Sequence, residues 1–189
     1  EDGIRDKLVT GVQTCALPIS GINTGAVIAE LLARAGAAVA INYRNSGAGA
    51  EENARRIIAA GGRAIAVQGD VTKEEDVRRV AAVTAEKLGR PSILVNNANV
   101  RSFRALMDLS TEEWRATISP TLDGAFFCIK AVVPHMRALG RGTIVNIGGG
   151  SGHEGRPNRA HVAAAKAGIA GMTVALATEL APEIGRAHV

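Results

Sequence analysis
AAVAINYRNSGAGAEENARRIIAAGGRAIAVQGD, residues 37–70, is the stretch from which the fold is read. Its opening, AAVAINY (37–43), is apolar without alternation, as in a strand buried on both faces. AEENARRIIAAGG (50–62) is amphipathic at helical period and stops on a glycine pair, and RAIAVQGD (63–70) returns to strand. A strand, a helix and a second buried strand imply a crossover with the strands parallel. Working outward, the alternation holds in both directions. GAVIAELLARAG (25–36) sets Val27, Ile28, Leu31 and Leu32 on one helical face, with Gly36 at its stop. Thr72 to Glu75 fits a capping box that opens a helix running to Gly89. SILVNNA (92–98) is a continuous apolar strand that ends in amides. Ser110 to Glu113 forms a second capping box, followed by helical pattern to about Leu139 with an interruption at Pro120. TIVNIG (143–148) is a strand, and Arg159 to Ala181 is an Ala-rich helix.

Strands alternating with helices, the strands apolar on both faces, predict an α/β domain: a doubly wound parallel sheet of Rossmann type with helices on both faces. One domain accounts for the 189 residues, of which 47% are hydrophobic and only 3% aromatic. Cys15 and Cys128 are too few for a disulfide-framework secreted domain, and Cys128, within AFFCIKAVV, reads as a buried core thiol. No uninterrupted apolar run reaches the length of a membrane span, so no membrane is expected. The formal charge is +4, but the arginines are dispersed along the chain, which argues against a nucleic-acid face. His135, His153 and His161 have neither the spacing nor the carboxylate partners of a metal site.

The two ends read differently. EDGIRD and VTGVQTCALPIS resemble the translation of a short-read sequencing adapter, and EIGRAHV resembles the same adapter in the opposite sense. The expectation is that 1–19 and 183–189 are adapter-derived, and that 20–182 is a partial Rossmann domain truncated at its C-terminal side. KLVTG (7–11) would then fill the first strand's place by accident of composition. The alternative is a genuine N-terminal extension.

In such a sheet, ligands sit beyond the carboxyl ends of the strands. SGINTGA (20–26) opens the first helix with small residues, suiting a helix N-terminus that receives a pyrophosphate, although a tight turn reads the same way. Arg44, after the second strand, suits a 2′-phosphate and so NADP(H) over NAD(H); the alternative is a solvated turn arginine. Asp70 and Val71 follow the third strand, where they either flank an adenine or cap the next helix.

Taken together, AELLARAGAAVAINYR, AAGGRAIAVQGDVT, LVNNA, GTIVNIG and AAAKAGIAGMTVALATELAP resemble the classical short-chain dehydrogenase/reductase family, especially its 3-oxoacyl-acyl-carrier-protein reductase-like members. The resemblance implies a cytoplasmic NAD(P)-dependent oxidoreductase that moves hydride between nicotinamide and a carbonyl or alcohol substrate. It also implies self-association of the full-length parent through the helices at 111–139 and 159–181. Gly21, Asn23 and Gly25 would line the pyrophosphate, Asp70 and Val71 would meet the adenine, and Asn96, Asn97 and Ala98 would border the ribose. Lys166 occupies the family's catalytic lysine position, gripping the nicotinamide ribose. Four residues earlier, where the family has its proton-transferring tyrosine, stands Val162; the single tyrosine is Tyr43. The family's serine falls on Gly149, its helical asparagine on Thr121, and NNAG has become NNAN at Asn99. His161, Ser151 and His153 are the candidate substitutes for the missing acid–base, His161 being five residues from Lys166 and so off its helical face. The second reading is a cofactor-binding partner subunit without turnover.

Overall fold
The computed structural model describes residues 12–13 and 24–188. Gly21, Asn23 and KLVTG lie outside the described residues, as does most of the N-terminal stretch that resembles an adapter. Six parallel strands form one sheet in the order β3-β2-β1-β4-β5-β6: β1 Val12–Gln13, β2 Ala38–Tyr43, β3 Arg63–Gln68, β4 Ile93–Asn96, β5 Gly142–Asn146 and β6 Gly185–His188. The order reverses between β1 and β4, so the crevice of a doubly wound sheet opens there. Central β2 is buried along most of its length, as a strand covered on both faces must be.

Two helices, α1 Thr24–Arg34 and α2 Gly47–Ala59, pack on one face through Ala29, Ala54 and Ile57 against Val39, Ile41 and Val95. The other face receives α3 Glu74–Leu88, α5 Gly124–Leu139 and α6 Ala160–Ile184, whose Val77, Cys128, Met136 and Leu180 close over Leu94 and Ile144. The odd and even residues of the strands therefore feed two separate cores, as their pleat requires. Cys128 is buried as the core thiol its context suggested.

Several local expectations change. The box at Thr72 and Glu75 does not form: Lys73 precedes α3 and no side chain caps it. Thr72 is already committed, because Asp70 Oδ1 accepts both its N–H (3.0 Å) and its hydroxyl (2.8 Å). Glu74, Glu75 and Asp76 instead serve the positive end of the α3 dipole. The box at Ser110 does form: Ser110 Oγ accepts from the Glu113 N–H, and Glu113 Oε2 accepts from the Ser110 N–H, opening α4 Thr111–Ile118. Pro120 does not end that helix. A π-helical turn at Ser119–Asp123 absorbs the missing N–H and joins α4 to α5 without a break in winding. Gly140, in the left-handed conformation at φ 63°, terminates α5.

The tail also differs from expectation. The helix continues past Ala181 to Ile184, which is buried, and Gly185–His188 pairs with β5 as the edge strand. A four-residue run with Gly, Arg and His carries no strand signal of its own; its position beside β5 makes it one. The membrane criterion needs correction too. Thr111–Leu139 and Ala160–Ile184 are long and apolar enough to span a bilayer by length and composition, because isolated polar residues interrupt apolar runs without ending helices. In this fold their apolar faces close the sheet.

Ile144, at 0% exposure, is the centre of the α5–α6 core. Ile144→Ala should cost about 2–5 kcal/mol in urea unfolding, while Val174→Ala, at a 70% exposed position, should stay within about 0.5 kcal/mol.

Candidate active site
The carboxyl edge of the sheet is assembled by amides. Asn96, the last residue of β4, donates from Nδ2 to Asn146 Oδ1 on β5 at 2.8 Å. Asn146 Nδ2 donates in turn to Thr173 Oγ1 on α6 at 2.8 Å, and Thr173 passes its own proton to the Ile169 carbonyl. All three side chains are buried, so this chain fixes β4, β5 and α6 together where ordinary apolar contacts would allow sliding. On the far side, Asn42 Nδ2 spans to the carbonyls of Val67 and Gly69, holding the ends of β2 and β3 in register.

Above this platform, the loop after β5 runs over α6. Gly152 approaches the α6 backbone so closely that a Cβ would lie 3.0 Å from the Lys166 carbonyl carbon, so a larger residue would lift the loop. An open cleft of about 530 Å³ lies at the β5 end, lined by Asn146, Ile147, Gly148–Gly150, His153, Lys166 and Ala170. Lys166 is buried, and its Nζ donates to the Ile147 carbonyl at 2.6 Å. Burial, reinforced by the nearby Arg101 guanidinium, lowers its pKa to about 8. At Gly148 and Gly149 a Cβ would meet nothing within 4 Å, so the space where the family carries its serine is open.

The remaining candidates separate into those at the cleft and those held elsewhere. Val162 is buried on the same helical side as Lys166 and has nothing to titrate. His161 is 0% exposed, and its Nε2 lies 2.7 Å from Ser102 Oγ while Nδ1 has no partner. Desolvation lowers the pKa of His161, and the neutral ring serves as a brace between the β4–α4 loop and α6. That loop is pinned further by Arg104 N–H to the Asn158 carbonyl and by Arg159 stacked 3.8 Å over the Phe103 ring. Ser151 lies in the short 3-10 turn Gly150–Gly152 beside the cleft, with its side chain outside the description. Thr121 is buried with an unpartnered hydroxyl in the π-helical turn.

The cofactor candidates lie on the same carboxyl edge. Gly25 is buried in the first turn of α1. Arg44 follows β2, half-buried, and makes no ion pair among the described residues. Asp70 spends one carboxylate oxygen on Thr72, and Val71 is packed into the core against Gly124. Asn97 is buried, and its carbonyl accepts from Asn99 Nδ2 at 2.9 Å; Ala98 is half-buried beside it. Among the described residues no cluster of three metal-ligating side chains occurs. Sequence reasoning missed Asn146, Thr173, Arg101 and Ser102. Asn146 alone had a signal, an amide closing an apolar strand as Asn96 does; the others become neighbours only through the fold.

This architecture is a doubly wound parallel α/β fold of Rossmann type. Residues 18–186 match the short chain dehydrogenase family, and the chain belongs to it. A 3-oxoacyl-acyl-carrier-protein reductase from Synechocystis sp. is 40% identical over 157 residues, covering 83% of this chain and 64% of that protein. A reductase of the same name from Staphylococcus epidermidis is 36% identical over 177 residues, covering 94% of this chain and 69% of its own length. Among solved structures, a short-chain alcohol dehydrogenase from Sinorhizobium meliloti superposes with a TM-score of 0.86 at 35% identity, over 95% of this chain and 70% of the other. A short chain dehydrogenase from Mycobacterium smegmatis gives 0.86 at 30% identity, over 97% and 75%. The chain thus spans roughly two thirds of its curated relatives' length.

Lys166 should mark the stability profile. Its unfolded form titrates near 10.5 and its folded form near 8, so between those values the unfolded chain holds a proton the native one has lost. The shift is equivalent to about 3 kcal/mol for a fully desolvated amine; with partial solvation of Nζ, stability should rise with pH across that window by about 2 kcal/mol, with the full penalty present below pH 8. In Lys166→Met the rise should disappear, as measured by urea unfolding at a series of pH values.

Proposed function
We propose that the protein is a pyridine-nucleotide-dependent oxidoreductase acting on a carbonyl or alcohol carbon, with an unconventional proton path. The observation that carries this reading is Lys166, buried at the mouth of the cleft with Nζ tied to the Ile147 carbonyl and no carboxylate among the lining residues. Such an amine is held ready to hydrogen-bond a ribose hydroxyl and to favour a developing alkoxide. The residues fit a dinucleotide: an uncrowded glycine loop over β5, Gly25 at a helix start, and Arg44 available for a 2′-phosphate. Gly21 and Asn23 are proposed for the pyrophosphate, Asp70 and Val71 for the adenine, and Asn96, Asn97 and Ala98 for the ribose side. When bound, the nicotinamide supplies or takes the hydride. The protein's part is to orient, to exclude water and to handle the proton.

The proton is where this chain departs from its family. Val162 cannot move one. His153 lines the cleft, whereas His161 is fully buried against Ser102, so His153 is the better-placed acid–base of the two. Arg44 favours NADP(H) over NAD(H), because a guanidinium matches a dianionic phosphate. Cytoplasmic location and self-association are proposed on the family resemblance; Trp114, Phe126 and Val174, exposed on α4, α5 and α6, suit contact between copies. The buried valine also supports a second reading, a partner subunit that binds the nucleotide without turnover.

A carbonyl panel assayed with NADPH separates the two. Slow NADPH oxidation is expected, and binding without any turnover favours the partner reading. Val162→Tyr combined with Gly149→Ser restores the family's relay into space that is open at Gly149, and should raise kcat by about 10²–10⁴-fold. Arg44→Ala should weaken NADPH about 10-fold and leave NADH unchanged.

A further inference from the structure
The amine of Lys166 faces a cleft that has neither a phenol at position 162 nor a hydroxyl at position 149. We propose that Lys166 is also a carbonyl-capturing nucleophile, forming a Schiff base with small aldehydes or ketones that enter the space above Gly148 and Gly149. This goes beyond hydride transfer and does not require it.

Three features of the site support the chemistry. Lys166 is only 9% exposed, and among the described residues its amine hydrogen-bonds a neutral carbonyl at 2.6 Å and no carboxylate that would hold it charged. Among the residues that line the cleft only His153 and Lys166 are titratable, and the nearby Glu154 carboxylate, 3.9 Å from where a Gly150 Cβ would stand, is paired with Arg156. Arg101 adds a second positive charge nearby, which further favours the free amine and would attract an anionic carbonyl compound. Desolvation and a neighbouring cation are the two conditions that turn a lysine into a Schiff-base nucleophile. The other described lysines differ: Lys73, Lys87 and Lys130 are exposed, and Lys130 pairs with Glu74 at 3.1 Å.

The step balances without an oxidant or reductant. Nζ attacks the carbonyl carbon, a C–N bond forms, and the carbonyl oxygen accepts a proton to give the carbinolamine. Loss of water, carrying both amine hydrogens, then leaves the imine. The open glycine positions give the adduct room.

The test uses the whole protein with glyoxylate, an anionic aldehyde, and sodium cyanoborohydride to trap imines at pH 7.5. Peptide mass spectrometry reads the rate at each lysine. Lys166 is expected to label roughly 10-fold faster than Lys73 or Lys87, because it alone is a desolvated amine facing a cleft that can hold the carbonyl. Labelling of Lys166 no faster than those exposed lysines overturns the proposal. A parallel reaction with NADPH separates the two readings: protection of Lys166 supports both. Rapid labelling that NADPH does not slow supports carbonyl capture while counting against the nucleotide placement.

Discussion
The hydrogen-bonded chain from Asn96 through Asn146 to Thr173 is the constraint on which the rest of this structure depends. Buried amides with defined partners cannot exchange for water or slide by a residue without leaving donors unpaired, at a cost of about 1–3 kcal/mol each. Strands β4 and β5 and helix α6 are locked in a single register by this means. Lys166 stands two turns before Thr173 on the same helix, so the register that pairs Asn96 with Asn146 and Asn146 with Thr173 also sets the amine beneath the glycine loop. A hydrophobic core alone specifies the layers; the polar chain specifies where the edge lies.

On the proposed reading, the features that would hold a nucleotide on that edge are the uncrowded glycine loop, Lys166 and Arg44 after β2. The proton relay needs a titratable group four residues before the lysine, and that position is an apolar, buried valine. His161 is adjacent in sequence, yet the helical turn sends it into a buried contact with Ser102, where it braces a loop. The Lys166 amine meets the Ile147 carbonyl and an open cleft with Arg101 nearby, the setting that the proposed Schiff-base chemistry requires.

Much of the fold was legible because buried parallel strands and amphipathic helices differ in period, and 37–70 shows both in succession. Helix starts were less uniform. Ser110 with Glu113 could be read directly, while Thr72 could not, since Asp70 competes for its hydroxyl two residues upstream. The edge strand at Gly185–His188 has no intrinsic signal and depends on β5 for its existence. At the site, Lys166 was visible through the family resemblance and Asn96 as an amide closing an apolar run. Thr173, Arg101 and Ser102 were not, because each acquires meaning from a neighbour distant in sequence.

The central claim is that this edge holds a pyridine nucleotide with Lys166 as an anchor. Titration of the protein with NADPH, followed by nicotinamide fluorescence, tests it most directly when run beside Lys166→Ala. Saturable binding that weakens about 10-fold in the variant is the predicted result, equivalent to one good hydrogen bond to a charged or polarised group. Absence of saturable binding, or equal affinity in the two proteins, would contradict it.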